Sequence, residues 1–312
     1  MSQKDIDIKL DDIVSYSPKI LDILLKDRTS GRNIVWATED YRQLGALYEA
    51  EGEIKAELVT GKNNYIIQPR ITKSQKNQLF RTKAKAEVFT PAWMCNAQNN
   101  RIDNGWFGRE GVFNIETYNA WITNEEKICF SDKGHKTWRR YVDALRMEIT
   151  CGEAPYLVSR YDVVRAKSIP VAERIGLLDR KLRVVGENAE SEEEWYKWSK
   201  RAFQSVYGFE YQGDSLLIAR VNLLYTYIDY LKDKWDRNPT AKELTEIASI
   251  ISWNLWQMDG LTFTVPHSSK DKKKNEETSL ERQYCRIKDW QAARWKKKAI
   301  LEYRSLLKYE VL

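Results

Sequence analysis

Histidine and cysteine are both scarce in this 312-residue chain. The two histidines, His135 and His267, lie far apart. The four cysteines (Cys95, Cys129, Cys151, Cys285) include no C-x-x-C pair. No zinc site and no disulfide framework is expected from that spacing, so no metal ligands are assigned and a reducing cytoplasm is the expected compartment. No run of about 18 uncharged apolar residues occurs, which argues against a membrane span. The opening M-S-Q-K-D-I-D-I-K-L is too charged for a secretory signal. Around His135 no nucleophile, base and orienting group come together, so a hydrolytic triad is not expected there.

What is present is a folded-protein composition with 12 tryptophans and a net charge of +6 that is unevenly spread. Between Lys62 and Lys85 stand seven Lys/Arg and no acid (Lys62, Arg70, Lys73, Lys76, Arg81, Lys83, Lys85). From Lys270 to Leu312 thirteen Lys/Arg face seven Asp/Glu. Stretches of this kind suit a phosphate backbone as partner, and equally a solvated lysine face. Arg70, Lys73, Lys76, Arg81, Lys83 and Lys85 are the candidate nucleic-acid contacts.

The most informative stretch is L-R-M-E-I-T-C-G-E-A-P-Y-L, Leu145 to Leu157. It reads as a buried strand ending in Glu148, a tight turn at Cys151-Gly152, and a helix start. Such a junction lets an adenosine-type ligand approach the backbone and meet free N–H groups. Farther on, Ser205-Val-Tyr-Gly-Phe-Glu-Tyr211 reads as a strand ending in Glu210. A helix follows with Leu216, Leu217, Val221, Leu224 and Ile228 on one face. Asn238-Pro239-Thr240 opens another helix, carrying Leu244, Ile247, Ile250 and Ile251, which leads to Asn254-Leu-Trp-Gln-Met-Asp-Gly-Leu261.

Residues 1–60 read as mainly helical around Ile20–Leu25, with a short strand at Asn33–Ala37 and a helix opening at Glu39. Val59–Ile67 has hairpin character. Thr90 is placed to cap a helix beginning at Pro91. Asn96 to Trp138 reads as a polar, aromatic-rich connector. Arg160 to Ser199 reads as an insertion of helices at the edge of a sheet. Lys270–Glu281 reads as a mobile loop, and 283–290 and 299–307 as two strands or a strand and a helix.

Taken in order, these segments resemble the adenine-specific DNA methyltransferases of restriction–modification systems, over about residues 86–290. In that family's cofactor loop an acidic residue is followed by Pro-Ala-Cys-Gly, a small residue, glycine and an aromatic. Glu148, Cys151, Gly152, Tyr156 and Leu157 match it, Ile149 and Ala154 replace the proline and second glycine, and Pro155 is added. Phe89-Thr90-Pro91 resembles the aromatic-Thr-Pro segment that covers S-adenosylmethionine. Glu210 stands where the family's ribose-binding acid stands, and Asp259 where an Asp meets the adenine amino group. The resemblance implies an α/β, Rossmann-like S-adenosylmethionine-dependent methyltransferase sheet at 86–312, interrupted at about 160–199, with an N-terminal α/β extension at 1–85.

The family's Asp/Asn-Pro-Pro-aromatic tetrad is missing. It holds the flipped adenine's amino group between acceptors and stacks the ring. Asp289 and Trp290 are the nearest substitute and the candidate catalytic pair. Only 22 residues follow Trp290, so the sheet is expected to be incomplete or permuted, or completed by a partner subunit. The implied function is adenine-directed DNA methylation with S-adenosylmethionine. The alternative is a catalytically silent subunit of the same type that binds DNA or a partner protein.

Overall fold

Pro18 divides the first apolar segment into two helices, α1 (Leu10–Tyr16) and α2 (Pro18–Leu25), because its ring fixes φ and it has no N–H to continue α1. The computed structural model describes residues 9–73, 90–131, 136–268 and 282–309. After α2 the segment 33–37 is extended, with the isolated bridges Lys26↔Asn33 and Val35↔Glu53 and backbone bonds to residues 50–54. Short 3-10 turns follow at Glu39–Leu44 and Ala46–Tyr48, packing Tyr41 and Tyr48 on the buried Trp36. The expected hairpin at 59–67 is instead a series of 3-10 turns, Ala56–Leu58 and Gly61–Asn63.

Within the expected connector at 96–138, the described residues form regular elements. Helix α3 (Ala92–Phe107) leads into the hairpin β1 (Asn114–Thr117) and β2 (Ala120–Thr123). Pro91, not Thr90, is the residue before the first helical position, and no side chain caps it. Next come α4 (Trp138–Asp143), β3 (Arg146–Glu148), the short pair β4 (Tyr161–Asp162) and β5 (Lys167–Ser168), α5 (Leu177–Asn188) and α6 (Glu192–Gln204). Then follow β6 (Val206–Glu210), α7 (Gly213–Trp235), α8 (Ala241–Asn254) and β7 (Leu255–Gln257). Strand β8 (Arg286–Lys288), α9 (Trp290–Arg294) and β9 (Ile300–Glu302) form a C-terminal hairpin with a helical excursion. Among the described residues no helix is long and apolar enough to cross a membrane.

The frame is an all-parallel, three-stranded sheet in the order β3-β6-β7. Successive strand residues point to opposite faces. Val206 and Leu255 enter the main core with α6, α7 and α8, while Phe209, Trp256 and Met258 form a second, smaller core with Cys285, Ile287 and Tyr303 of the C-terminal hairpin. That hairpin covers β6 and β7 but leaves Leu145, Met147 and Ile149 of the β3 edge exposed beside a groove of about 230 Å³. The sheet is therefore mixed α/β and short, without the helices that cover both faces of a doubly wound sheet.

Three further expectations change. Helices α5 and α6 are not additions at the edge: they lie in the crossover from β3 to its parallel neighbour β6, and Trp195, Trp198, Leu182 and Val185 are in the main core. Helix α7 is buried on all sides from Gly213 to Leu224, so its apolar face is only part of what it buries. The boundary expected at residue 85 does not separate two cores, since Leu10 to Ile67 share one cluster with residues 112–255.

Arg220 fastens these parts. Its guanidinium, fully buried, donates to the carbonyls of Leu24 and Lys26 at the end of α2 and of Leu255 at the end of α8. Burial pulls its pKa down to about 9, against the nearby Asp27 carboxylate. One cation thus satisfies the orphan carbonyls of two helix ends, where the macrodipole favours positive charge.

Candidate functional site at the carboxyl ends of the parallel strands

Strand β3 stops at Glu148 because its carboxylate turns onto the chain that follows, Oε1 accepting from Tyr156 N–H at 3.4 Å and Oε2 from Leu157 N–H at 3.2 Å. Between them the turn is tight, with Thr150, Gly152 and Ala154 all at positive φ. Cys151 N–H donates to the Phe209 carbonyl of β6 at 2.8 Å, and its thiol is fully buried over Gly208. A Cβ at position 208 would lie 3.2 Å from Cys151 Cβ, so glycine there admits the turn. Burial, with Glu148 and Glu210 beside it, pushes the Cys151 thiol well up, which suits a packing residue and not a nucleophile.

The middle strand ends in Glu210, and this carboxylate holds the neighbouring turn. Oε2 accepts from Gly152 N–H at 2.8 Å, and Oε1 accepts from Tyr211 and Gln212 N–H at 2.9 and 3.0 Å. Both acids are driven above their ordinary range, first by desolvation. Backbone N–H bonds oppose this in each, and Glu148 is raised further by the Glu210 charge.

The register sets the acids on a staircase. Glu148 pairs with Gly208 and Glu210 with Gln257, so each carboxylate stands two residues farther along than the one before, about 7 Å at strand rise. Asp259 continues the steps. Its Oδ1 accepts from Leu261 and Thr262 N–H, and its charge is felt by Tyr211. Glu148 and Glu210 are thus brought together, whereas Asp259 faces outward beside Tyr211, whose ring lies 6.3 Å from that of His267.

Thr90 and Pro91 do reach this end: Tyr156 hydrogen-bonds Thr90, the Cys95 thiol donates to the Thr90 carbonyl at 3.5 Å, and Cys95 feels the Glu148 charge. Phe89, Lys76, Arg81, Lys83 and Lys85 lie outside the described residues. Arg70 N–H donates to buried Glu153 at 2.6 Å, and Lys73 pairs with Asp214 at 3.0 Å, so in this arrangement both are tied into the fold. Tyr41 OH donates to the same Asp214 oxygen at 2.7 Å. That Tyr41–Lys73–Asp214 group at the start of α7 was not legible from the sequence beyond the Gly-Asp-Ser that follows the strand.

Asp289 and Trp290 stand elsewhere. Asp289 caps α9 by accepting from Gln291 and Ala292 N–H, and Trp290 Nε1 donates to Asn254 at 2.6 Å. Asn254 precedes β7 and holds the Phe203 and Val206 carbonyls at the start of β6. The pair therefore lies at the amino ends of the strands, opposite Gly152 and Glu210.

In open parallel α/β sheets ligands commonly sit at the carboxyl edge, and that is the edge where Gly152 meets Glu210. Compared with protein-family models, with curated proteins and with solved structures, the chain matches none.

The residues fit a nucleoside ligand in part. A carboxylate offers about four lone-pair sites, and three N–H groups occupy Glu210, leaving room on Oε2 for one ribose hydroxyl, not two. Among the described residues Asp259 accepts through Oδ1 alone, which leaves its second oxygen for an amino donor. The start of α7, by contrast, is covered: Gly213 N–H donates to Trp36, and a Cβ at 213 would come 2.0 Å from the Val35 carbonyl.

Proposed function

We propose that the chain is an S-adenosylmethionine-dependent, adenine-directed DNA methyltransferase of the restriction–modification type. The observation that carries this reading is the bond from Gly152 N–H to Glu210 Oε2, which joins the glycine turn after one parallel strand to the acidic end of the next. When bound, the cofactor supplies an electrophilic methyl group. The protein's part is placement: Glu210 accepts one ribose hydroxyl, Asp259 accepts from the adenine amino group, and Thr90 with Tyr156 walls the Glu148 turn. Holding a nucleophilic amine in line with the methyl carbon accounts for most of what such a site must do.

Calorimetric titration with S-adenosylmethionine tests this. Wild type is expected to bind, and Asp259→Ala, at a half-exposed position, to bind about tenfold more weakly through loss of one charge-assisted hydrogen bond. Absence of binding by folded wild type removes the reading.

The exposed β3 edge and the placement of Asp289–Trp290 at the opposite end of the strands favour a second reading, a silent subunit that retains the cofactor and awaits a partner for target recognition. Cofactor binding without methylation of DNA, restored by a co-expressed partner, would distinguish it.

A further inference from the structure

The amino ends of the strands carry a different surface. Arg28 lies 5.7 Å and Lys288 5.8 Å from the Trp253 ring, and Lys288 also lies 4.0 Å from Trp290. Two cations thus share one indole, and neither has a carboxylate within ion-pair distance among the described residues. Arg28 donates only to Ser252 Oγ, at 2.8 Å, and Lys288 makes no ion pair. Burial pulls both pKa values down, and the Arg28 charge lowers Lys288 further. From Lys288 the chain makes a short excursion, closed by Asp289 N–H on the Ala299 carbonyl at 2.7 Å. Its tip presents Trp295, 76% exposed, next to exposed Lys296, Lys297 and Lys298. The acids nearby are engaged: Asp289 caps α9, Asp27 caps the turn at Thr29–Ser30, and Asp143 pairs with Arg201 and Arg294.

We propose that this face, in which Arg28 and Lys288 flank Trp253 and Trp295 stands beside three lysines, binds single-stranded nucleic acid. Unneutralised cations track a phosphate backbone, and an exposed indole offers a stacking platform to an unpaired base. A duplex keeps its bases stacked and leaves Trp295 without a partner, so a single strand is the better complement. The surface does not rest on the methyl-transfer reading, because it lies at the other end of the sheet from Glu210 and Asp259.

Fluorescence anisotropy with labelled oligothymidylate, its duplex with oligoadenylate, and phosphatidylcholine–phosphatidylserine vesicles as competitor tests it. Wild type is expected to prefer the single strand. Trp295→Ala should weaken binding by about five- to fifty-fold, the loss of one stacked base. Replacing Lys296, Lys297 and Lys298 together by alanine should flatten the log–log salt dependence by about 2, at about 0.7 per phosphate contact. These positions are exposed, so unchanged thermal melting is expected to show the variants folded. Oligonucleotide binding that both variants retain, binding to the duplex alone, or capture by vesicles without oligonucleotide binding would each overturn the proposal. S-adenosylmethionine titration of the same variants keeps the two ideas separate, since loss of oligonucleotide binding with intact cofactor binding touches only this surface.

Discussion

The side chain of Gln257 completes a backbone ladder with Val35: Oε1 accepts from Val35 N–H at 2.9 Å, and Nε2 donates to the Val35 carbonyl at 2.8 Å and to the Tyr211 carbonyl at 2.8 Å. A segment 222 residues away in sequence is thereby treated as a further strand by an amide at the end of β7. The expected short strand at 33–37 is thus extended, bonded to the backbone of residues 50–54 on one side and to this side chain on the other.

Gln257→Ala is expected to leave buried donors and acceptors at Val35 and Tyr211 unpaired, at about 1–3 kcal/mol for each unmet group. Urea denaturation measures it. A change in midpoint within experimental error would mean that the N-terminal segment docks without this amide.

Position 213 makes the same contact testable by sterics. Gly213→Ala forces a methyl group into the Val35 carbonyl, so the 33–37 segment must shift or α7 must start later. Faster proteolysis within the first 60 residues and a lowered melting temperature are expected. Unchanged cleavage would show that the segment gives way freely.

Asp103 and Arg180 meet at 2.7 Å with both side chains 1% exposed. Arg180 also donates to Asn96 and Asn100, and Tyr141 OH donates to Asp103. Removing one partner, as in Arg180→Met or Asp103→Leu, strands a buried charge and is expected to cost about 3–5 kcal/mol, whereas the double replacement should cost clearly less than the sum. Additive losses in a double-mutant cycle would rule out direct coupling.

Stability should also carry the signature of Glu148 and Glu210. Burial raises both above their ordinary 4.5, so the folded chain holds these protons to higher pH than the unfolded one. Their contribution is complete below the ordinary value and is lost as pH rises through the raised values. Wild type measured against Glu148→Gln, which does not titrate, is expected to lose part of its relative stability across the window above the ordinary value of 4.5 as pH rises. A difference that stays flat across that window, or grows with pH, would contradict the assignment.

Local signals were readable where residues act on their immediate neighbours. Thr240 accepts from Glu243 N–H while the Glu243 carboxylate returns to Thr240, which starts α8 as the Asn-Pro-Thr pattern predicts. The strand-to-turn junctions at Glu148 and Glu210 likewise follow from alternation and a nearby glycine. The polar stripe Asn96, Asn99, Asn100 and Asp103 misled for a physical reason. At helical spacing it marks one face of α3, but polarity ordinarily means solvent, and distant partners, Arg180 (77 residues from Asp103), Asn114, Tyr141 and the Tyr156 and Ile175 carbonyls, make that face an interior one.

The sequence by itself determined the strand ends at Glu148 and Glu210, the helix start at Thr240 and the uneven charge, because each depends on residues within a few positions of one another; the helix expected directly after Gly152 is instead a run of turns. The tertiary structure alone decided that Glu210 spends its oxygens on Gly152, Tyr211 and Gln212, that Lys73 is held by Asp214, and that Asp289 and Trp290 belong to the amino end of the sheet. Those outcomes depend on which strands lie side by side and in what register. A carboxylate's partners are fixed by that packing, and nothing in its own neighbourhood along the chain encodes them.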